Sequence, residues 1–591
     1  MASSESGSQS SNRTISVSPP WEQSEKKPPI EEPTGSKDHV SNDQPGTNPG
    51  SVPQEKTQET PHTSVTPSEK YPNGLAVLTV FFGLFLAALC VGLDRSIVAT
   101  AVPKITSDFN SLPDVGWYGS AYLMTTCCLQ LFFGKLYAEF TIKWVFLAAL
   151  AIFEVGSVVC AVAPGSTVLI VGRAVAGMGA AGLVSGAIII IARSVPIDQR
   201  PKYTGALGGA VGLAQVVSPT LGGVFTDKLT WRWCFWINLP LGGVTLLATL
   251  FLVSIPPTPR PDNTKPSIAG FLQRFDLKGT LVLIPWVICL LLAVQWGGTQ
   301  YAWTSWRIIL LFVLFGVLFL VWLWLQVRSG DKATVPMRII KQRSMASATV
   351  FMFFAFAAFF IITYYIPIWF QAVRGVSAYQ SGINMLALSA ALSITVICSG
   401  FVTSKTGYYV PQMIGSTVIA SIAVGMVYTF DRDTTDEYWV GTLVLLGIGV
   451  GLGIQQPLIA AQTVFERADN AIATSVLIFT QNLTGAIFLS VGENVFHNQI
   501  LRQVGRAAPQ VDVREVIGAG ASTLGAVMRE KYPPYADAIL TAYNTALQHV
   551  FIIPLVTACM MVFGVVFMEW RSVKKARQAA AAADAERQQS G

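Results

Sequence analysis

Charge is what this chain has little of. Only 13% of its 591 residues are Asp, Glu, Lys or Arg, about half the share of an ordinary soluble domain. That shortage argues against a soluble enzyme or binding module of this length. Histidine is nearly missing as well: the four, His39, His62, His497 and His549, fall in tails or near a helix end, which leaves a metal site or a hydrolase without support. No GxxxxGK[ST] pattern occurs, so there is no P-loop to bind ATP, and HExxH, CxxC and GxSxG are missing too. The cysteines, Cys90, Cys127, Cys128, Cys160, Cys234, Cys289, Cys398 and Cys559, all sit inside apolar runs. Without loop spacing they read as small packing residues, not as a zinc site or a disulfide framework. No cofactor and no metal are expected. Residues 1–73 have almost no large apolar side chains and no cleavable signal pattern. They cannot bury a core and are expected to be a disordered cytoplasmic tail, on which the glycosylation triplet Asn12-Arg13-Thr14 would be silent.

What the chain has instead is apolar length. Hydrophobic residues make up 52% of it, and its mean hydropathy is +0.49. Runs of about twenty apolar residues, each long enough to cross roughly 30 Å of hydrocarbon, recur about fourteen times. They fall near 75–102, 115–137, 143–163, 167–193, 203–225 and 233–254, then 277–296 and 306–327, then 345–372, 381–403, 411–430, 438–464, 472–495 and 546–568. The net charge of +6 is small for this size and points to basic cytoplasmic loops, with no nucleic-acid partner. With the N-terminus inside, the inner loops collect Lys135, Lys143, Arg193, Arg200, Lys202 and nine further basic residues up to Lys405, with Arg467 beyond. The short outer loops hold only Lys104, Lys228, Arg232, Arg307, Arg374 and Arg432. The imbalance places both termini in the cytoplasm and makes the number of spans even.

The most informative stretch runs from Leu169 to Gly223. Two glycine-rich apolar runs flank a polar turn with Arg193, Asp198, Gln199, Arg200 and Lys202, and Arg173 lies inside the first run. An arginine at membrane depth is costly and marks function. Small residues let helices approach closely, and Pro219 weakens the second run where it has to bend. Gly177-Met178-Gly179-Ala180-Ala181-Gly182 matches GxGxxG, but a dinucleotide site needs a preceding strand and a soluble βαβ unit. Inside an apolar helix the pattern reads as helix packing. Glycines of the fourth and twelfth runs, and the ends GKLYAEFTIKW and GFVTSKTGYYVP of the second and tenth, repeat weakly, as in transporters built from parallel halves.

These residues resemble the major facilitator superfamily, in particular its fourteen-helix drug:proton antiporter group of fungal toxin and multidrug efflux type. The resemblance covers about Gly74 to Arg571 and rests on LDRSIVATAVP (Leu93–Pro103), GKLY (Gly134–Tyr137), LIVGRAVAGMGAAG (Leu169–Gly182), GLAQVVSPTLGG (Gly212–Gly223) and WRWCFWINLPLGG (Trp231–Gly243), in that order. It implies an all-α membrane protein of two six-helix bundles with two inserted helices. The N-terminal bundle would occupy 74–255, a cytoplasmic linker plus the extra pair 256–344, and the C-terminal bundle 345–570 with an extracellular loop at 496–544. A cytoplasmic tail would follow at 571–591. Two positions depart from the family pattern. Ala138 stands where the loop after the second helix usually has an aspartate, so a charge contact there has to use Glu139 or is lost. Ser218 replaces the glycine before Pro219. Gly134, Lys135, Glu139, Gly212, Pro219, Gly222 and Gly223 form the expected conformational motif.

The residues expected to couple protons are Asp94, Arg173, Glu154 and Glu493. Desolvation penalises the charged form of a carboxylate in apolar surroundings, which suits Asp94 to exchange a proton; the competing use is a cap or a pair with adjacent Arg95. Arg173 resembles the family's fourth-helix arginine, with a structural ion pair as the rival role, and polar helix–helix contacts are the rival role for Glu154 and Glu493. Gln130, Gln215, Asn384, Gln455, Gln456, Gln481 and Asn482 are candidates to line a substrate cavity, with interhelix hydrogen bonding the alternative for each. The aromatic ninth run offers one face to a flat apolar compound, and Trp369 suits an interfacial belt. The expected activity is proton-coupled export of small amphipathic organic compounds such as mycotoxins, other fungal secondary metabolites or drugs, by a monomer in the plasma membrane. Its partners would be substrate, protons and the lipid bilayer. A siderophore or basic amino-acid transporter of the plasma or vacuolar membrane is the alternative, and a membrane sensor without transport a more distant one. No enzymatic activity is expected.

Overall fold

The computed structural model describes residues 74–252 and 276–576, apart from single positions in a few turns. The tail at 1–73, its glycosylation triplet and most of the proline-rich connection at 253–275 lie outside the described residues. Among those described the chain is helical, with one isolated bridge between Gly297 and Tyr301.

The first half contains α1 (Gly74–Phe109), α2 (Val115–Glu139), α3 (Ile142–Ala161), α4 (Ser166–Ser194), α5 (Arg200–Lys228), α6 (Trp233–Trp236) and α7 (Asn238–Leu252). An inserted pair follows, α8 (Leu277–Trp296) and α9 (Trp306–Ser329). The second half contains α10 (Met337–Lys341), α11 (Arg343–Ala372), α12 (Ala378–Asn384), α13 (Leu386–Thr406), α14 (Val410–Tyr428), α15 (Asp436–Gly453) and α16 (Gln456–Val464). It ends with α17 (Arg467–Ala507), α18 (Val513–Gly518), α19 (Leu524–Lys531) and α20 (Ala536–Val566). Local chemistry sets several boundaries. Side chains of Asp276, Gln342 and Ser377 accept the backbone N–H groups of Gly279, Met345 and Gln380 at helix starts. Prolines occupy the first turn of α5, α14 and α16, where their missing N–H costs nothing. Gly407, at φ 87°, closes α13 in the left-handed region.

Twelve helices among the described residues are long and apolar enough to cross a membrane. Helices α2 and α5, 25 and 29 residues long, lie outside that twelve. Both are diluted with Gly, Ser, Thr and Gln, and both pack against the other half (α2 on α17, α5 on α13). A helix that faces other helices has less need of a lipid-compatible surface, so hydropathy underrates it.

Glycine spacing explains the close packing within each half. A β-carbon on Gly179 would lie 2.4 Å from the backbone nitrogen of Phe153, and one on Gly156 2.2 Å from that of Ala176. The GxGxxG pattern of α4 therefore packs that helix against both α3, at Gly179, and α2, where Gly177 meets the Tyr122 backbone, as its setting in an apolar helix predicts. In the second half, Gly449 meets the backbone of Ala420 and Gly564 that of Phe351 in the same way.

One expectation is corrected here. Trp369 is not in an interfacial belt: it is fully buried, and its indole N–H donates to Asn544 Oδ1 at 3.0 Å. The outer connection expected at 496–544, partly amphipathic with room for short surface helices, contains the short helices α18 and α19. Helix α17 continues to Ala507 and α20 starts at Ala536; Ile500 and Val504 of α17 and Leu524 and Met528 of α19 are buried, apolar positions that a scan for continuous apolar runs passes over.

Helix α8 of the inserted pair lies against α2 and α17. Gln295 donates to Ser120 at 2.7 Å, and Trp286 meets Phe479 edge-on. Helix α9 turns Trp306, Val313, Leu320 and Trp324 outward. Buried Asp276 ties the pair to the chain ahead of α10: its carboxylate accepts from Gly279 N, Gln326 Nε2, and both the backbone and hydroxyl of Thr334.

Candidate functional site

The α2–α3 and α4–α5 turns mark one face of the bundle, here the near face; the α3–α4 turn marks the far face. In the far half of the first bundle two charges are buried together. Asp94 of α1 is 0% exposed and Arg173 of α4 is 1% exposed, and Arg173 Nη1 lies 2.7 Å from Asp94 Oδ2. Each partner is held from other helices as well. Arg173 Nε donates to the Tyr118 carbonyl at 2.9 Å, and its guanidinium lies 4.4 Å above the Tyr122 ring. Asn238, the first residue of α7, donates from Nδ2 to Asp94 Oδ1 at 3.0 Å and to Ser157 Oγ at 3.1 Å. The site thus joins α1, α2, α3, α4 and α7. A charge pair taken out of water survives only with such supplementary hydrogen bonds; here Asn238 serves the carboxylate and the Tyr118 carbonyl the guanidinium.

Glu154 of α3 faces the same carboxylate and interacts with it electrostatically. Its two carboxyl oxygens are buried and have no hydrogen-bond partner among the described residues. Gly242 of α7 makes the space for it: a β-carbon there would lie 1.7 Å from Glu154 Oε1. Three of the four proton-coupling candidates therefore belong to one cluster, Asp94 and Arg173 in direct contact and Glu154 interacting electrostatically with Asp94. The fourth, Glu493, is exposed on α17 and interacts with His497 and Tyr364 instead. Sequence reading passed over Asn238 and Tyr122. The asparagine within WINLPLGG was legible as a polar residue at membrane depth; Tyr122 carried no signal of its own.

The cavity candidates separate. Gln456 is committed within the second half, accepting from Thr403 and donating to Ser399. Asn384 accepts from Gln380 on its own helix at 3.1 Å. Gln130 is fully buried, and among the described residues neither of its amide atoms is paired. Gln455 reaches α5, where a β-carbon on Gly208 would lie 2.2 Å from its Nε2. Asn482 accepts from Arg95 across the halves at 3.5 Å. Gln215 and Gln481 are half-buried on α5 and α17.

On the near face the halves close on each other. A β-carbon on Gly134 would lie 2.5 Å from Ser475, and one on Gly212 2.3 Å from the Ser393 hydroxyl. Arg200 Nη1 donates to the Gln462 carbonyl at 3.2 Å, and Ser404 donates to the Asp198 carbonyl. Gly222 approaches α1 at Thr100, whereas Gly223 has open space beside it. Pro219 lies within α5, and Ser218 beside it turns its hydroxyl back onto the Ala214 carbonyl of that helix. Lys135 and Glu139 pair at 3.5 Å within α2. Glu139 therefore supplies a charge contact to this loop, one turn from Lys135 and not across a helix boundary.

Two helical halves meeting along a seam of small residues, with a charge pair buried inside one of them, define a multi-pass membrane protein of transporter type. The chain belongs to the Major Facilitator Superfamily, whose family profile matches residues 84–489. It is 46% identical over 543 residues to the MFS-type transporter phomT of Diaporthe leptostromiformis, covering 91% of this chain and 90% of that protein. It is 48% identical over 506 residues to the efflux pump aflT of Aspergillus parasiticus, covering 85% and 98%. Among solved structures, the human organic anion transporter MFSD10 superposes with a TM-score of 0.53 at 15% identity, over 82% of this chain and 100% of that one. At that identity the likeness shows the fold alone.

Proposed function

We propose that this protein is a proton-coupled exporter of small amphipathic organic compounds, working by alternating access across the plasma membrane with both termini in the cytoplasm. In this reading α2 and α5 also span the membrane, which brings the number of crossings to fourteen, and the protein acts as a monomer. The aflT efflux pump, similar along nearly its whole length, supports export, and fungal secondary metabolites and toxins are the substrate class such relatives suggest.

The observation that carries the coupling is the buried Asp94–Arg173 pair. When Asp94 takes up a proton, Arg173 loses its counter-charge inside a low-dielectric bundle, and the contacts joining α1 to α4 and α7 are reweighted. Glu154, without a hydrogen-bond partner among the described residues and interacting electrostatically with the same carboxylate, is in this reading the group that passes that proton on. Coupling requires that proton and substrate favour opposite facing states. Each proton entering is worth about 2.3 kcal/mol per 100 mV, plus the pH difference. The near-face seam of Gly134, Gly205, Gly212 and Gly400 is the part that opens and closes.

The test is flux in proteoliposomes under an imposed pH difference. Wild-type protein should move a fluorescent amphipathic compound only while the difference lasts, and Asp94→Asn should reduce movement to leak. Undiminished pH-driven flux in Asp94→Asn would remove this carboxylate from coupling.

A further inference from the structure

Next to Asp94 in sequence stands a second arginine with a different fate. Adjacent helical residues point about 100° apart, and Arg95 turns away from the Asp94–Arg173 pair toward the other half of the molecule. Its guanidinium lies 4.9 Å from the centre of the Phe360 ring on α11, and its Nη1 is 3.5 Å from Asn482 Oδ1 on α17. Among the described residues no carboxylate lies within ion-pair distance of it. A guanidinium offers five N–H donors; this one makes a single hydrogen bond, at the outer limit of length. Arg173, on α4, uses two donors at 2.9 and 2.7 Å and has a carboxylate partner.

The surroundings of Arg95 are arranged around it. Gly485 on α17 leaves the notch that the Phe360 ring fills; a β-carbon there would lie 2.5 Å from the ring. Phe356 and Phe359 extend the aromatic surface, with centroids 5.8 Å from Phe360. Tyr122, 2% exposed, interacts electrostatically with Arg95, and its buried hydroxyl has no hydrogen-bond partner among the described residues. The Arg95 guanidinium, with most of its donors unused, therefore stands beside an aromatic wall where the two halves face each other, with the Tyr122 hydroxyl among the groups it interacts with. A cation at membrane depth without a counter-charge is costly, and the cost is offset when an anion arrives.

We propose that Arg95, with Tyr122, Asn482 and Phe360, forms a subsite for the anionic group of an aromatic or polyketide-like organic acid, a carboxylate or an enolate. The inference rests on the transport reading and narrows its substrate class from amphipathic compounds in general to those that carry one negative charge on a flat apolar body. Because the subsite is built from α1 and α2 on one side and α11 and α17 on the other, the bound anion bridges the halves. Its binding is then sensitive to which face is open.

The experiment uses two probes of matched shape, pyrene-1-butyrate and its uncharged carboxamide, with the purified full-length protein. Binding is followed by fluorescence titration, and pH-driven flux in proteoliposomes. Wild type should prefer the carboxylate. Arg95→Gln should weaken carboxylate binding about tenfold, the loss expected for one charge-assisted contact, and leave the carboxamide unchanged. Retained carboxamide binding shows that the variant folds. Arg95→Lys keeps the charge and should keep the preference, so its loss in folded Arg95→Lys would overturn the subsite. Equal binding of the two probes by wild type, or equal losses for both in Arg95→Gln, would overturn it as well. Flux of the carboxamide without any preference for the carboxylate sinks the subsite and leaves transport standing. Arg95-dependent binding with no flux under a pH difference does the reverse.

Discussion

Gly400 of α13 and Pro201 of α5 stand in backbone contact across the two halves: a β-carbon on Gly400 would lie 2.4 Å from the Pro201 carbonyl oxygen. Pro201 itself is in the first turn of its helix, so this contact sits at the extreme near end of the seam. A side chain here has no flexible neighbour to displace, only main chain.

Gly400→Val should therefore hold the near face open. The expected cost of forcing the closed arrangement is about 1–3 kcal/mol, the usual range for overpacking. Labelling of a Ser404→Cys reporter, near-isosteric at the same end of the seam, with a membrane-impermeant thiol reagent applied from the near face, should rise in the valine variant. Unchanged labelling would show that the seam is looser than its geometry indicates.

The Asp94–Arg173 pair makes a prediction about stability separate from its role in coupling. Arg173→Gln leaves a buried carboxylate uncompensated and should cost about 3–5 kcal/mol. The double variant Asp94→Asn, Arg173→Gln keeps hydrogen-bonding shape without charge and should recover much of that loss while remaining inactive in pH-driven flux. Thermal unfolding in detergent measures the first effect. Additive losses in the double variant would mean that the two residues act independently.

Asp276 holds the inserted pair to the segment before α10 through Gln326 and Thr334. Asp276→Ala orphans several buried donors, and a loss of about 3 kcal/mol is expected from their desolvation. The disturbance should be local. Amide exchange should quicken in α8, α9 and residues 333–336, and not in α3 or α4. Uniform acceleration across the chain would argue that α8 and α9 are integral to the stability of both halves.

Glu569, beyond the last long helix, gives a pH dependence whose sign can be worked out. Burial pushes its carboxyl up, but hydrogen bonds from Ser344, Arg571 and Gln342 and the charge of Arg571 outweigh this and hold it below the ordinary carboxylate value. A group lowered on folding contributes stability that is present above its unfolded value and is lost as pH falls through the folded one. Acidification below about pH 4 should therefore release the C-terminal segment. The readout is exchange of the Val573 amide, which donates to the Gly407 carbonyl at 2.9 Å, corrected for intrinsic pH effects. Constant protection down to the global acid transition would exclude Glu569 as the latch.

Much of the architecture was legible before any coordinates, because a bilayer demands long apolar helices and hydropathy reports them directly. The scarcity of charge, the inserted pair between two sets of runs, and the packing role of GxGxxG in α4 all follow from that demand. So does the singling out of Arg173 and Asp94, since charges at membrane depth are rare enough to stand out. Facing was not legible. In a bundle whose helices are apolar on every side, periodicity does not say which polar residue meets which. Only the tertiary structure paired Asp94 with a residue 79 positions away and turned Arg95 toward the other half. It also used up Gln456 inside one half, buried Trp369, and laid α8 against α2 and α17. These outcomes depend on how rigid helices stack, and stacking is set by glycine notches contributed from distant parts of the chain, which no local pattern contains.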